Sequence, residues 1–361
     1  MSFLFNIRIV KIFSLSLLFI ASLCIVSCGE LDSLYDSDDD ESTSVDTWGQ
    51  IIDEPAEVFV AADLSDAVKN GIVTGLAKAA EVWGNYGPLE YWVLGTEVDA
   101  ANDLSELYCE RRSQRGDLYK SNCLVHNQQS DHGFESYRKV GYDAITSGQA
   151  SSSMGRNGAR DWGIHRFTSS YPFGFDSVLG ATPKGEMITV YHEYFHAVQH
   201  AFVFSLDFDE RDELMGPTWF VEGAAVYMAE LFVRKMLASG DLVMTDNNDL
   251  DTFKVSFEFK MDSGKQSIDN DCPGTSFKDI TYELGCSYAA YDLGAWAIAY
   301  LSDLVVDENV LLNRFYPKLN ELGWEGAFQA AFGISSSQFY ADFDGFLSKD
   351  IEEQTLILSD L

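Results

Sequence analysis

The sequence predicts an α+β protein in which a small antiparallel or mixed sheet lobe is followed by a mainly α-helical C-terminal lobe. Two observations favour this fold class. Short segments typical of strands, Leu89–Leu94 and His165–Ser170, occur in the first half of the chain. From Cys286 onward, apolar residues recur at helical spacing. The 361 residues, 46% of them hydrophobic, can form one large domain or two lobes around a cleft.

The first folded element is predicted to be a helix over Leu64–Trp83, although Gly71 and Gly75 weaken it. Gly116–Asp161 is polar and rich in glycine and serine, so we expect mostly loop with short helices there. Asp241–Thr281 is acidic and polar, which predicts an irregular surface segment. The other predicted elements are a strand at Leu89–Leu94, an edge strand at His165–Ser170, and helices at Asp99–Arg112, Gly185–Phe204, Phe220–Ser239, Tyr288–Val305, Asn309–Leu322, Gly326–Phe332 and Ser335–Leu347.

The predicted helix Gly185–Phe204 contains an H-E-x-x-H motif that begins at His192 and ends at His196. Two histidines four residues apart share one helical face, so both imidazoles can bind the same metal ion. Neutral imidazole is a good ligand for Zn²⁺. Glu193 then lies near the open side of the metal, where it can take a proton from bound water. The motif predicts one zinc ion per chain, with Glu193 as the general base.

A second motif supplies a carboxylate downstream. Trp219–Ala225 has the pattern W-x-x-E-G-x-A, which places Glu222 at the start of an alanine-rich helical run. Two histidines and one glutamate, with water in the fourth position, form a catalytic zinc arrangement. This pairing of motifs resembles the gluzincin metallopeptidases, the thermolysin-like and aminopeptidase-like clan. The resemblance implies that Glu222 is the third zinc ligand, beside His192 and His196, within a thermolysin-like catalytic unit.

A third segment extends the resemblance, which covers roughly Leu89 to Leu347. Tyr291 and Gly294 form a Y-x-x-G pattern before an apolar helix, similar to aminopeptidase-like gluzincins. In that group the tyrosine hydroxyl stabilises the tetrahedral oxyanion, and the resemblance implies this role for Tyr291. Three other tyrosines remain as alternatives: Tyr227, Tyr282 and Tyr288.

The chain also departs from the best-known gluzincins. Between His196 and Glu222 lie 25 residues, somewhat more than usual, and no G-x-M-x-N segment precedes the motif. A metzincin is disfavoured because its third histidine would fall on Phe202. The clan's usual carboxylate partner of a histidine ligand is not identifiable. Three residues are expected to pack or hydrogen-bond around the ligands: Gln199, His200 and Trp219.

The N-terminus predicts export. Arg8 and Lys11 precede a short apolar run, as in a secretory signal, so residues 1–27 are predicted to be a signal peptide. The residues before Cys28 resemble a bacterial lipobox, which implies a lipid on Cys28 that anchors the protein to a membrane; an ordinary signal peptide with an incidental cysteine is the alternative. The acidic residues 28–47 are expected to form a solvated tether. Residues 48–184 would form the lobe with the edge strand, and residues 185–361 the zinc helix and the helical part of the same catalytic domain.

Four further cysteines, at positions 109, 123, 272 and 286, form an even set that favours disulfides in an exported protein. Three connectivities are open, and we favour Cys109–Cys123 with Cys272–Cys286, each worth about 3 kcal/mol in the chain-entropy model. The formal net charge is −33, and removal of Arg8 and Lys11 with the signal takes it to −35. Such a surface repels phosphate, so no nucleic-acid partner is expected.

These observations predict a zinc-dependent metallopeptidase on the periplasmic or outer-surface side of the cell envelope. Its substrate would be a peptide or protein, hydrolysed by zinc-bound water that Glu193 activates. The alternative is a gluzincin-like surface lipoprotein with little or no turnover that acts as a binding module. The complete set of His192, Glu193, His196 and Glu222 argues against that alternative, because a protein that has lost the activity has usually also lost the base or a ligand.

Overall fold

The computed structural model describes residues 49–116, 118–149, 160–161, 164–205, 207–243 and 252–359. The predicted signal peptide, Cys28 and the acidic tether lie outside these residues. Helices make up most of the described chain, and a small sheet completes an α+β fold. The strands are β1 Glu57–Val60, β2 Leu89–Val93, β3 Arg160–Asp161 and β4 Ile164–Ser169, and the helices are α1 Asp66–Trp83, α2 Val98–Gln114, α3 Lys120–Gln129, α4 Phe134–Ser147, α5 Pro183–Ala201, α6 Phe208–Met215, α7 Thr218–Ser239, α8 Phe253–Asp271, α9 Tyr288–Val305, α10 Leu319–Phe332, α11 Ser336–Leu347 and α12 Ile351–Gln354.

The sheet has the strand order β1-β2-β4-β3, and its three longer strands are parallel. Of the expected arrangements, antiparallel or mixed, the antiparallel one is therefore wrong for the three longer strands. The reason lies in the connections, because α1 joins β1 to β2 and three helices separate β2 from β4, and such helical crossovers return the chain in the same direction. The two-residue β3 pairs antiparallel with the start of β4, opposite Ile164 and His165. Beyond them β4 forms the outer edge of the parallel strands.

Two hydrophobic cores cover the two faces of this sheet. Along β2, Tyr91 and Val93 point into the larger core with α1, α5 and the C-terminal helices, whereas Trp92 points into a smaller core with α2, α3 and α4. All five residues of β2 are buried, as in a parallel strand covered on both sides. The larger core therefore holds α5, the helix with the H-E-x-x-H motif.

Two segments that the sequence predicts to be irregular are helical. The region Gly116–Asp161 contains the full helices α3 and α4. The region Asp241–Thr281 contains α8, in which Phe253, Phe257 and Met261 form a narrow buried stripe. The rest of the helix is mostly polar, apart from apolar residues such as the exposed Val255 and Phe259. A stripe this narrow leaves the composition polar, and the packing of α8 on α9 overrides that composition.

Helices α7 and α9 approach each other closely in the larger core. A Cβ atom on Gly294 would lie 2.4 Å from the carbonyl oxygen of Trp219 and 2.9 Å from the Cα atom of Gly223. Glycine at both positions therefore allows the two helix backbones to touch. Glu222 lies one residue before Gly223 on α7, and Tyr291 lies three residues before Gly294 on α9. The glycine contact therefore sets the distance between Glu222 and Tyr291.

The structure contains the two favoured disulfides, Cys109–Cys123 between α2 and α3 and Cys272–Cys286 between the end of α8 and the start of α9. Two disulfides are compatible with an exported protein. Among the helices that can be described, none is both long enough and apolar enough to cross a membrane.

We predict that Gly294→Ala lowers the free energy of unfolding by roughly 1–3 kcal/mol, because the added methyl group cannot fit between α7 and α9. Gly345→Ala is the matched control: Gly345 is an exposed helical glycine with open space at its Cβ position, so alanine should stabilise by up to about 1 kcal/mol. Urea denaturation measures both. Equal stability of Gly294→Ala and the wild type would contradict the close contact.

Candidate metal centre

Helix α5 carries the H-E-x-x-H motif through the larger core. The Thr182 side chain accepts a hydrogen bond from the backbone N–H of Gly185, and Pro183 occupies the first turn, so the helix start is well defined. His192, Glu193 and His196 expose only 9%, 7% and 1% of their surface. Polar side chains this deeply buried must be paired or must bind a ligand.

Helix α7 brings Glu222 against the two histidines. The Nε2 atoms of His192 and His196 are 3.0 Å apart, and Glu222 Oε2 lies 3.3 Å from each. Ligands at zinc–ligand distances of about 2.0–2.2 Å in a tetrahedron are about 3.3–3.5 Å apart. The three donor atoms therefore match one face of a zinc tetrahedron almost without movement. The structure thus brings the three residues of the predicted ligand set together at one point.

A hydrogen-bond chain fixes the tautomer of His196. Gln199 donates its amide N–H to the carbonyl oxygen of Val221 at 2.9 Å, so its Oε1 atom faces His196. That oxygen lies 2.7 Å from His196 Nδ1, which must then carry the proton. The Nε2 atom is left with a lone pair directed at His192 and Glu222. Gln199 thus accepts from His196 the hydrogen bond that a carboxylate usually accepts from a metal-binding histidine.

Glu193 lies beside the donor triangle and outside it. Its Oε1 atom is 4.0 Å from Nε2 of His192, while the cluster that could hold a metal consists of His192, His196 and Glu222. Burial raises the pKa of Tyr91 well above its usual range, and the nearby carboxylates of Glu193 and Glu186 add to the shift. Glu193 therefore occupies a buried position beside the three donor atoms. A base for water on a metal held there would need such a position.

The sequence offers four tyrosines for oxyanion stabilisation, and two of them lie at the candidate centre. The ring of Tyr291 is nearly parallel to the His192 ring, with centroids 6.2 Å apart. The hydroxyl of Tyr282 donates a hydrogen bond of 2.5 Å to Glu222 Oε1. Tyr288 packs beside Tyr291, and Tyr227 packs on aromatic rings of α8. Nothing in the sequence identifies the Tyr282 contact, because Tyr282 belongs to no motif and lies in a connecting segment.

The other residues expected around the ligands have different surroundings. The His200 ring lies 5.4 Å from the His165 ring of β4. The Trp219 indole donates a hydrogen bond to the Tyr340 hydroxyl and stacks on Phe339, so it joins α7 to α11. His200 thus packs beside β4 and Trp219 beside α11, whereas Gln199 contacts His196, a member of the candidate ligand set.

A buried group of charges holds the helices that carry the centre. Arg234 pairs with Glu230 within α7 at 3.0 Å. The ammonium of Lys260 on α8 lies 3.7 Å from both Glu230 and Asp292, the residue after Tyr291 on α9. Burial raises the pKa of Asp292. The charges thus link α7, α8 and α9 immediately behind Tyr291.

Glu186 has a buried carboxyl group in the first turn of α5. It accepts a hydrogen bond from the backbone N–H of Gly174 at 2.9 Å, which ties the chain before α5 to its first turn. Burial raises the pKa of Glu186 from 4.5 to about 7, although the hydrogen bond from Gly174 acts in the opposite direction. The folded protein therefore keeps this proton to a higher pH than the unfolded chain does.

The chain has no match among protein-family models, among curated proteins or among solved structures. The expected thermolysin-like unit receives no support from these comparisons or from the parallel sheet.

The raised pKa of Glu186 predicts a pH dependence of stability. Its contribution is most favourable below about pH 4.5 and is lost as the pH rises through about 7, because the unfolded chain then ionises more readily. The side chain of Glu186→Gln cannot ionise. From pH 5 to pH 8 the free energy of unfolding should therefore fall by roughly 2 kcal/mol less in this variant than in the wild type. Denaturant titrations at both pH values measure this, with exposed Glu258→Gln as the control. Parallel pH profiles of Glu186→Gln and wild type would contradict it.

Proposed function

We propose that this protein is a gluzincin-type zinc metallopeptidase in which His192, His196 and Glu222 bind the metal ion. One observation carries the proposal: three buried donor atoms, 3.0–3.3 Å apart, form one face of a tetrahedron with Glu193 beside it. Three protein ligands leave a fourth position open, which is typical of catalytic rather than structural zinc sites.

The roles of the residues follow from their positions. Zinc at this site would supply a Lewis acid and lower the pKa of a water molecule in its open position towards about 7. Glu193 takes the proton of the attacking water and transfers it to the leaving amine. Tyr291, whose ring lies against His192, is the candidate hydroxyl for stabilising the oxyanion of the tetrahedral intermediate. Gln199 keeps His196 in the tautomer that binds metal.

The proposed place of action is the bacterial cell envelope. The N-terminal sequence supports a signal peptide, and a lipid on Cys28 would anchor the chain to a membrane. The two disulfides support an oxidising compartment. A peptide or protein substrate follows from the proposed chemistry, and the acidic chain makes nucleic acid an unsuitable partner.

The decisive experiment compares wild type with Glu193→Gln, both loaded with one equivalent of zinc, on a mixed peptide library read by mass spectrometry. We expect both proteins to bind zinc equally, because Glu193 lies outside the donor triangle. Cleavage should fall by about 10²–10⁴-fold in the variant, since loss of a general base has that magnitude. Glu258→Gln, an exposed residue of α8, is the control and should cleave at the wild-type rate.

Two results would contradict the proposal that the protein is a peptidase. Equal cleavage by Glu193→Gln and wild type would show that Glu193 is not the base. Zinc bound by both proteins with no cleavage by either would favour the binding module.

A further inference from the structure

Tyr282 stands apart from the motifs yet contacts the centre directly. It lies between the 3₁₀ turn Phe277–Asp279 and α9, and its hydroxyl is 2.5 Å from Glu222 Oε1. The other oxygen of the same carboxylate, Oε2, faces both histidines at 3.3 Å. The two oxygens of Glu222 therefore have separate partners.

This division has a chemical consequence for a bound metal. A phenol hydroxyl has one proton to donate, and hydrogen bonds from a hydroxyl to a carboxylate at about 2.5–2.7 Å are among the stronger ones. The hydrogen bond from Tyr282 holds Oε1 away from the histidines, so Glu222 presents Oε2 alone to a metal at this point. A carboxylate that binds through one oxygen leaves the remaining coordination position open for water.

The second disulfide anchors the segment that carries Tyr282. Ile280, two residues before Tyr282, is 1% exposed, and Cys286, four residues after it, is fully buried. The disulfide joins Cys286 to Cys272, the residue directly after α8. Tyr282 thus lies within the loop that this disulfide closes, and α8 is itself tied to α7 and α9 through Lys260.

We infer that Tyr282 is a positioning residue that holds Glu222 in its one-oxygen orientation, and that the Cys272–Cys286 disulfide holds Tyr282 in place. The inference rests on the proposed metal centre and adds a dependence of metal affinity on a loop outside both metal-binding helices. Tyr282 acts through Glu222, so removal of its hydroxyl changes metal binding before it changes any step of a reaction.

The test measures zinc affinity by competition with a chromophoric chelator. Tyr282→Phe should bind zinc about 10- to 100-fold more weakly than wild type, the range for loss of a hydrogen-bond partner of a metal ligand. Removal of the disulfide in Cys272→Ser/Cys286→Ser should weaken binding in the same direction. The triple variant, with all three substitutions, should bind no more weakly than Tyr282→Phe, because the disulfide acts through that hydroxyl.

Two matched controls separate positioning from general loosening of the fold. Cys109→Ser/Cys123→Ser removes a disulfide of the same sequence separation, 14 residues, in the smaller core. Tyr340→Phe removes a hydroxyl that contacts Trp219 and no metal ligand. Both should keep wild-type zinc affinity. A spectroscopic readout is independent of affinity: with cobalt in place of zinc, Tyr282→Phe should show weaker visible absorption bands, as the coordination number rises above four.

Each outcome has one meaning. No zinc binding by wild type would refute the metal centre itself and, with it, the proposed function. Zinc binding by wild type with unchanged affinity and an unchanged cobalt spectrum in Tyr282→Phe would overturn the role of Tyr282. If Cys109→Ser/Cys123→Ser lowers zinc affinity as much as Cys272→Ser/Cys286→Ser does, the role of the second disulfide is overturned.

Discussion

The convergence of His192, His196 and Glu222 on one buried point is the constraint that the rest of the structure serves. Two imidazole nitrogens and a carboxylate oxygen cannot face each other at 3.0–3.3 Å inside a hydrophobic core without a compensating positive charge or shared protons. A divalent cation satisfies all three lone pairs at once. The surrounding features can be understood as the means by which the fold maintains this arrangement.

Those features act at different distances from the point of convergence. Gln199 sets the tautomer of one histidine. The contact between Gly223 and Gly294 brings α9 close enough for Tyr291 to lie against His192. The charges around Lys260 fix α8 to both helices. Layered support of this kind fixes the side chains of a site in one arrangement.

The candidate site could be predicted further than the fold. Residue type and spacing predict that His192 and His196 face one point, because residues four apart on a helix are neighbours whatever surrounds them. Glu222 as the third donor is implied by the resemblance to gluzincins. The parallel sheet could not be predicted, since the four-residue strand β1 was missed and with it the crossover through α1. Helix α8 was missed because its buried stripe is narrow. Tyr282 acts through a contact with Glu222, 60 residues away in sequence, which local patterns do not encode. The sequence does place Gln199 among the residues expected around the ligands, but its hydrogen bond to the carbonyl oxygen of Val221, 22 residues away, follows only from the fold.

X-ray absorption spectroscopy at the zinc edge, on protein dialysed after loading with zinc, tests the central claim most directly. We expect one zinc per chain, surrounded by two imidazole nitrogens and by oxygen, without sulfur, and we expect His196→Ala to lose the metal on dialysis. Protein that retains no zinc, a spectrum without imidazole, or zinc that His196→Ala retains equally well would contradict the assignment of this site.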